Sequence, residues 1–370
     1  MRPTHTITTN DGIAEIEALL RRLTTRAPSS RTVLRIASPQ PEAFLRETWL
    51  ALAVAAAMDS TDTFTLLSPG IKAWPAFADP AFDNDETPAL SLAYLLALQT
   101  GGTVVPDGNE ALRLPLDVVK HLVSVRRGGL AGVGGRTQRL VEFDETESVA
   151  AALRKRSDYV SAFEDVVVSM MRRVEVGAIA RNIDEDLTSI GKSDLIDFLR
   201  ELHSNGYAYA RAARAVRVLK FRKNLEAKDR ALERATSFPQ LRDYIAGRRQ
   251  DRLNLIEASV SDFGPGILEG FRATEVGATY VDWSDDRLMD KLLHEQLSSN
   301  ADDPNAGRGT VIAIAAARRI EGFVTLRTGR HWYVLDGSRH DAERMVPVPG
   351  EHPPVRGTHW TIIYPDALQS

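Results

Sequence analysis

Short strand-like and helix-like patterns alternate along the first third of the chain. Three β-branched runs predict strands, at Thr32–Ala37, Thr63–Leu67 and Thr103–Val105. Longer apolar stretches between them predict helices, at Glu42–Met58 and Pro88–Gln99. This β-α-β-α-β order predicts a small α/β domain. No motif in it indicates a chemistry, so a partner-binding or ligand-binding role stays open.

The pattern changes from about Glu145. A long helical segment is predicted at Glu147–Val176, and a second helix is predicted to begin with Ser193 or Asp194 as its N-cap. Strands are then predicted at Val216–Phe221, Ile256–Val260, Phe323–Arg327, Trp332–Leu335 and Thr358–Tyr364. Helices are predicted at Arg287–Leu297 and Thr310–Ile320. We therefore expect two domains, residues 1–144 and residues 145–370, both of α/β (α+β) class.

The amino-acid composition excludes several kinds of chemistry. The 370 residues are 43% apolar and carry a net charge of −4, and they include no Cys. Without Cys there are no disulfides, thiolate nucleophiles or Cys-ligated metals. The N-terminus has no basic-then-apolar leader, and the longest apolar run, Thr48–Met58, is too short to span a bilayer. We expect a cytoplasmic protein with no membrane partner.

Nucleic acid is a weaker candidate partner. The stretch Arg211–Arg252 is rich in Arg and Lys, but five acidic residues are interleaved with the basic ones. The mild net acidity also argues against a surface that is basic all over. A solvated helix surface is therefore favoured over a nucleic-acid contact.

Three separate segments carry candidate chemistry. Glu201 and Asn205 are four residues apart on a predicted helix and share one face, where an amide and a carboxylate could hold hydrated Mg²⁺ and orient a water. Asp262 ends a predicted strand and could accept the exocyclic amine of adenine. Gly307 and Gly309 precede a helix, whose free N–H groups favour phosphate.

Each of these segments also has an ordinary explanation. Glu and Asn at this spacing are usually solvated helix surface. An Asp followed by Gly264 and Gly266 is also a common strand-ending turn, where glycine permits close backbone approach. Two glycines before a helix can be a simple cap.

The order of the segments resembles the GHKL (Bergerat-fold) ATPase superfamily, which includes gyrase B, histidine kinases, MutL and the Hsp-type chaperones. The stretch ending Leu202-His203-Ser204-Asn205 looks like its N box, and Asp262-Phe-Gly-Pro-Gly266 looks like its G1 box. Gly307-Arg-Gly309 looks like the G2 box, and Gly357-Thr358 resembles the terminal Gly-Thr motif. The resemblance implies a two-layer sandwich with a mixed sheet and helices on one face, over about residues 145–370.

The resemblance also implies roles for individual residues. Asn205 would coordinate the Mg²⁺ that bridges the phosphates of ATP, and Glu201 would be the general base that activates water. Asp262 would bind the adenine amine, supported by Thr358. Further nucleotide contacts would come from the base-pocket and lid positions Gly264, Gly266, Ile267, Gly307 and Gly309.

Several members of the superfamily could fit. The histidines His121 and His203 lack the setting of a phosphoacceptor, which disfavours an autophosphorylating kinase. We expect an ATP-binding switch, either monomer or homodimer, with slow or partner-stimulated hydrolysis and a protein partner. The alternatives are a kinase acting on a separate protein and a non-hydrolysing nucleotide sensor. The interval Leu268–Ala306 is expected to be a long, structureless, mobile lid.

Overall fold

The computed structural model describes two sheets and the helices packed on them. The described residues are 4–7, 13–25, 32–36, 44–59, 64–68, 103–106, 137–143, 163–165, 167–168, 190–209, 216–295, 297 and 307–365.

Within the described ranges, the first sheet has four parallel strands in the order β1-β2-β3-β4. Its strands are β1 (Thr4–Ile7), β2 (Thr32–Ile36), β3 (Phe64–Ser68) and β4 (Thr103–Pro106). Two helices accompany it, α1 (Ile13–Thr25) and α2 (Arg46–Asp59). We call these elements the N-terminal unit. The predicted α/β pattern is confirmed here, while the predicted helix Pro88–Gln99 lies outside the described residues.

The two helices of the N-terminal unit bury different amounts of surface. Helix α1 is amphipathic, and the apolar residues Ile13, Ile16, Leu20 and Leu23 form its buried face. Helix α2 is Ala-rich, and every residue of the segment 51–57 is buried. Because a helix that is apolar all round requires neighbours on every side, α2 is enclosed by the rest of the protein.

The second sheet has seven strands among the described residues, in the order β10-β9-β8-β11-β7-β6-β5. These strands are β5 (Thr137–Phe143), β6 (Val216–Ala227), β7 (Arg252–Asp262), β8 (Phe323–Gly329), β9 (His331–Asp336), β10 (Val346–Pro347) and β11 (Val355–Pro365). The edge strand β5 precedes residue 145, so residues on both sides of the predicted domain boundary build this sheet.

Seven further helices are described in this part of the chain. They are α3 (Ile190–Tyr209), α4 (Lys228–Arg234), α5 (Pro239–Ala246), α6 (Ile267–Arg272), α7 (Glu275–Ala278), α8 (Asp285–His294) and α9 (Arg308–Arg319). Helix α3 begins at Ile190, three residues before the predicted Ser193 cap.

Helices cover both faces of the second sheet. On one face, Ile256, Ala258 and Val260 of β7 pack with α3, α8 and α9. On the other face, Leu253 and Leu255 of β7 pack with α1, α2, α4 and α5. The alternation follows from the two-residue period of a strand.

The expected architecture is corrected in two respects. Every described pairing in the second sheet is antiparallel, so the sheet is not mixed. Helices also lie on both faces rather than one, because α4, α5 and the N-terminal unit cover the face opposite α3 and α9. The mixed α/β class itself is confirmed.

Polar and aromatic contacts hold the N-terminal unit on the sheet. Arg327 on β8 is buried, and its Nε donates to Glu17 Oε1 of α1 at 3.3 Å. Burial lowers the pKa of Arg327 to about 10, while Glu17 opposes this shift. Trp49 of α2 packs on Trp332 of β9 with ring centroids 5.0 Å apart. The N-terminal unit is thus joined to the sheet by both charge and apolar surface.

Two predicted segments differ from expectation. The interval Leu268–Ala306 is not structureless, because α6, α7 and α8 occupy much of its first part, and residues 298–306 lie outside the described residues. The basic stretch Arg211–Arg252 contains strand β6 and two short helices, so it is not a continuous helix surface. The predicted helix Glu147–Val176 lies mostly outside the described residues.

None of the helices in the described ranges is both long and apolar enough to cross a bilayer.

Candidate functional site

A cleft opens at the end of the second sheet, on the face packed by α3, α8 and α9. Its empty space, open mouth included, is ≈ 850 Å³. Seven of the predicted site residues line it, namely Asn205, Asp262, Gly266, Ile267, Gly307, Gly309 and Thr358. The structure therefore brings together all three candidate segments and the Gly-Thr motif. We call this space the nucleotide cleft, by the ligand predicted for it.

Asp262 lies at the back of the nucleotide cleft. It is the last residue of β7 and is only 8% exposed. Thr358 of β11 is its direct partner in the antiparallel register. One carboxylate oxygen, Oδ1, accepts a hydrogen bond from the backbone N–H of Gly264 at 2.9 Å. A buried acceptor and a neighbouring hydroxyl are thus held at the inner end of the cleft.

The turn from Phe263 to Ile267 forms the wall beside Asp262. Gly266 has a φ of +89°, and a Cβ on it would lie 2.9 Å from Thr328 Oγ1, so glycine is required there. Ile267 N donates to the same Thr328 oxygen at 3.1 Å. Gly264 lies on the far side of this turn and lines a second cleft rather than the nucleotide cleft.

Strand β11 meets the turn at a β-bulge between Val355 and Thr358. Gly357 within it has a φ of +83°, and a Cβ there would lie 1.9 Å from the Asp262 carbonyl oxygen. The preceding Arg356 donates from Nε to the Phe263 carbonyl at 2.8 Å. The bulge therefore brings two consecutive residues against the Asp262 turn.

The opposite end of the cleft is formed where α3 meets the start of α9. Gly307 caps α9 with a φ of +80°, and Gly309 lies in its first turn. A Cβ on Gly309 would lie 3.0 Å from Glu201 Oε2 and 3.3 Å from Asn205 Nδ2. The two helices are also tied by Arg319 Nε donating to Asp194 Oδ1 at 2.7 Å. The N-terminal amides of α9 thus lie beside the Glu201–Asn205 pair.

Glu201 borders the cleft rather than lining it. Its Oε1 accepts from Arg200 Nη2 at 3.3 Å, and Arg200 also pairs with Asp197 at 2.9 Å. One oxygen of the predicted general base is therefore engaged by a cation, while Oε2 faces Gly309.

Most of the remaining cleft wall is apolar, and the sequence prediction did not include it. The additional residues are Leu202, Val260, Phe271, Leu292, Leu293, Leu297, Thr310 and Trp360. Alternation along β11 places Trp360 on the same face as Thr358, which is a signal that the sequence already contains. Thr328 and Arg356, which hold the turn, carry no motif.

The donor set suits one kind of metal ion better than others. Among the described residues there is no group of three His, Cys, Asp or Glu that could form a metal site. A single amide, Asn205, fits Mg²⁺, which keeps most of its waters and is often bound through substrate phosphates. Asn205 therefore offers the cleft one oxygen ligand of the kind that Mg²⁺ takes.

Comparisons with known proteins add no identification. No protein-family model matches the chain, and no curated protein matches it.

Proposed function

We propose that this protein binds ATP with Mg²⁺ in the nucleotide cleft and acts as a nucleotide-dependent switch of the GHKL type. The observation that carries the proposal is the convergence of Asn205, Asp262 and Gly309 on one cleft from three distant segments. Clefts with apolar walls and a few well-placed polar groups are the usual form of small-molecule sites.

The inner end of the cleft suits adenine. Asp262 can only accept hydrogen bonds when ionised, so it would pair with the exocyclic amine and disfavour the carbonyl of guanine. Val260, Phe271 and Trp360 supply apolar surface for the faces of the base. Thr358, next to Asp262 in the register, would support the same contact.

The outer end suits phosphate. The first turn of helix α9 lies at the cleft, where Gly307 and Gly309 carry no side chains. The N–H groups of a first turn have no partner within the helix itself and favour phosphate. Asn205 would supply an oxygen to the Mg²⁺ that accompanies the phosphates. Binding there would then alter a protein-binding surface.

Hydrolysis would depend on Glu201. As general base it would take a proton from water as the water oxygen bonds to the γ-phosphorus and the bond to the β-phosphate oxygen breaks, releasing ADP. One oxygen of this carboxylate is already engaged by Arg200, at 3.3 Å, which supports slow or partner-stimulated hydrolysis. The same pairing favours a second candidate function, a sensor that binds ATP without cleaving it.

Calorimetry on the full chain tests binding. We expect ATP with Mg²⁺ to bind the wild type, Asp262→Ala to abolish binding, and Asn205→Ala mainly to remove the dependence on Mg²⁺. Asp341→Asn is the matched control, since Asp341 is exposed and pairs only locally with Arg339. Equal ATP affinity in wild type and Asp262→Ala would refute the site.

Single-turnover assays with γ-labelled ATP separate the candidate functions. Release of labelled phosphate by the wild type, lost in Glu201→Gln, supports the switch with hydrolysis. Bound ATP that is never cleaved supports the sensor. Label found on a protein acceptor indicates a kinase instead.

A further inference from the structure

We propose that Arg356 is a positioning residue for the nucleotide cleft, and that the N-terminal unit sets its position through Asp59. This inference rests on the proposed function. It assigns a regulatory role to the N-terminal unit, for which the sequence indicates no chemistry.

The first step is a peptide bond held from both sides. Arg356 Nε donates to the carbonyl oxygen of Phe263 at 2.8 Å. The N–H of Gly264, at the other side of the same peptide group, donates to Asp262 Oδ1 at 2.9 Å. Because a peptide group is planar and rigid, fixing its carbonyl also fixes the direction of its N–H. Arg356 thereby orients the Asp262 carboxylate without touching a ligand.

The second step connects Arg356 to the N-terminal unit. Asp59, the last residue of α2, lies with its Oδ1 3.3 Å from Arg356 Nη1. The guanidinium therefore bridges two groups, an α2 carboxylate and the carbonyl of the turn. Its planar donor array suits this bridge, which a lysine ammonium would not reproduce.

The third step concerns how firmly α2 is placed. Residues 51–57 of α2 are buried against their surroundings, and Trp49 packs on Trp332. A movement of the N-terminal unit on the sheet would therefore displace Asp59 as part of a rigid helix. The turn would change its orientation in response.

The Arg356–Asp59 ion pair lies at the protein surface, where a partner can reach it. Arg356 and Asp59 are 33% and 51% exposed, and both line the second cleft together with Gly264 and Pro265. An ion pair at such a site is weak and easily exchanged. A partner that shifts the N-terminal unit can thus loosen the turn without unfolding the protein.

A double-mutant cycle on the full chain tests the relay, with ATP–Mg²⁺ affinity measured by calorimetry. We expect Asp59→Asn to weaken binding about threefold and Arg356→Met about tenfold, the ranges typical of an exposed ion pair and a charged hydrogen bond. In the Arg356→Met background, Asp59→Asn should have no further effect. Asp341→Asn, which removes an exposed ion pair elsewhere, should leave affinity unchanged.

Hydrogen exchange without nucleotide provides an independent readout. The Gly264 amide should exchange faster in both single variants, while thermal midpoints stay close to the wild type. Should Arg356→Met fail to fold, Arg356→Lys replaces it, with reduced affinity expected because lysine cannot hold both partners.

The outcomes separate the two proposals. Wild-type affinity in Asp59→Asn, or an equal loss from Asp59→Asn in both backgrounds, overturns the relay. Absence of ATP binding by the wild type overturns the proposed function instead. If ATP does not bind, hydrogen exchange of the Gly264 amide still tests whether Asp59 acts on the turn. An unchanged exchange rate in Asp59→Asn overturns that connection, and a faster rate supports it.

Discussion

Thr358 lies directly opposite Asp262 in the antiparallel pairing of β11 with β7. The pair joins the end of one strand to the bulged start of another, and Gly357 beside it has no room for a side chain. A buried carboxylate and a hydroxyl are thereby held at one level of the sheet. The chemistry of the inner cleft depends on this register. A one-residue slip of one strand would turn either Asp262 or Thr358 to the opposite face of the sheet.

Asp262→Asn tests the base preference of this pair. The carboxylate only accepts hydrogen bonds, whereas the amide also donates and can pair with a guanine carbonyl. We expect ATP affinity to fall about tenfold or more, as for the loss of a charged hydrogen bond, and the preference for ATP over GTP to narrow. Competition calorimetry with both nucleotides measures this.

The control for base preference is Thr358→Ser, which keeps the hydroxyl and should preserve the ratio of ATP to GTP affinity. A ratio that is the same in Asp262→Asn and wild type would contradict the assignment of Asp262 to the base.

Gly309→Ala tests the phosphate end. The added Cβ would lie 3.0 Å from Glu201 Oε2 and 3.3 Å from Asn205 Nδ2, so these two side chains must shift by a few tenths of an ångström to admit it. Alanine is a better helix former than glycine, so we expect the fold to persist. ATP–Mg²⁺ affinity should fall about tenfold, the cost typical of displacing a polar contact.

Gly247→Ala is the matched control for this variant. A Cβ there would meet its nearest backbone atoms at 3.5 and 3.6 Å, which is ordinary contact, and Gly247 lies outside the cleft. The assignment fails if both variants bind ATP–Mg²⁺ like the wild type.

The parts of the cleft that sequence predicted are those encoded locally. Asn205 lies on one helix face, Gly266 belongs to the turn after Asp262, and Gly307 and Gly309 lie at the start of α9. The apolar residues of α6 and α8 were not assigned to the cleft, although α8 overlaps the predicted helix Arg287–Leu297, because the interval Leu268–Ala306 was expected to be a mobile lid. Local signals for helices were present there, since Thr274 and Ser284 both cap helix starts through their side chains.

Long-range features could not be predicted in the same way. The order of strands in the second sheet pairs β11 with β7 and β8, segments far apart in the chain. Its second face is covered by α1 and α2, whose apolar faces do not encode which surface they meet. The bridge from Asp59 to Arg356 depends on that packing, so neither residue could be recognised from its neighbours.

Arg327→Met tests the attachment of the N-terminal unit. The guanidinium is 3% exposed and donates to Glu17 and to the carbonyls of Gly329, His331 and Pro353. Methionine removes every donor and takes from the half-buried Glu17 the cation to which it is hydrogen-bonded. Breaking a buried ion pair costs about 3–5 kcal/mol. We expect a loss of that order in the free energy of unfolding, measured by urea denaturation.

Arg339→Met supplies the comparison, because the Arg339–Asp341 pair is exposed on both sides. Exposed ion pairs contribute little to stability, so this variant should unfold close to the wild type. Similar losses in the two variants would show that the buried pair does not hold the N-terminal unit in place.

The buried His359 should make the free energy of unfolding depend on pH. Desolvation lowers its pKa from the usual 6.5 to about 4, and the nearby Arg327 adds to the shift. The neutral ring donates from Nε2 to the Arg356 carbonyl at 2.7 Å, while Nδ1 is buried without a hydrogen-bond partner among the described residues. The folded state therefore requires the neutral form.

Whether stability rises or falls with pH depends on which state, folded or unfolded, is protonated at His359 at the higher pH. Below pH 6.5 the unfolded chain is protonated at this histidine while the folded protein is not, so stability is complete above pH 6.5 and falls as the pH drops towards 4. The shift corresponds to about 3 kcal/mol over that window. Subtracting the urea-unfolding profile of His359→Gln from that of the wild type isolates this contribution from His331 and His352. The difference in unfolding free energy between wild type and His359→Gln should change between pH 6.5 and 4 and stay constant above pH 7. Parallel profiles would instead show that unfolding does not change the protonation of His359.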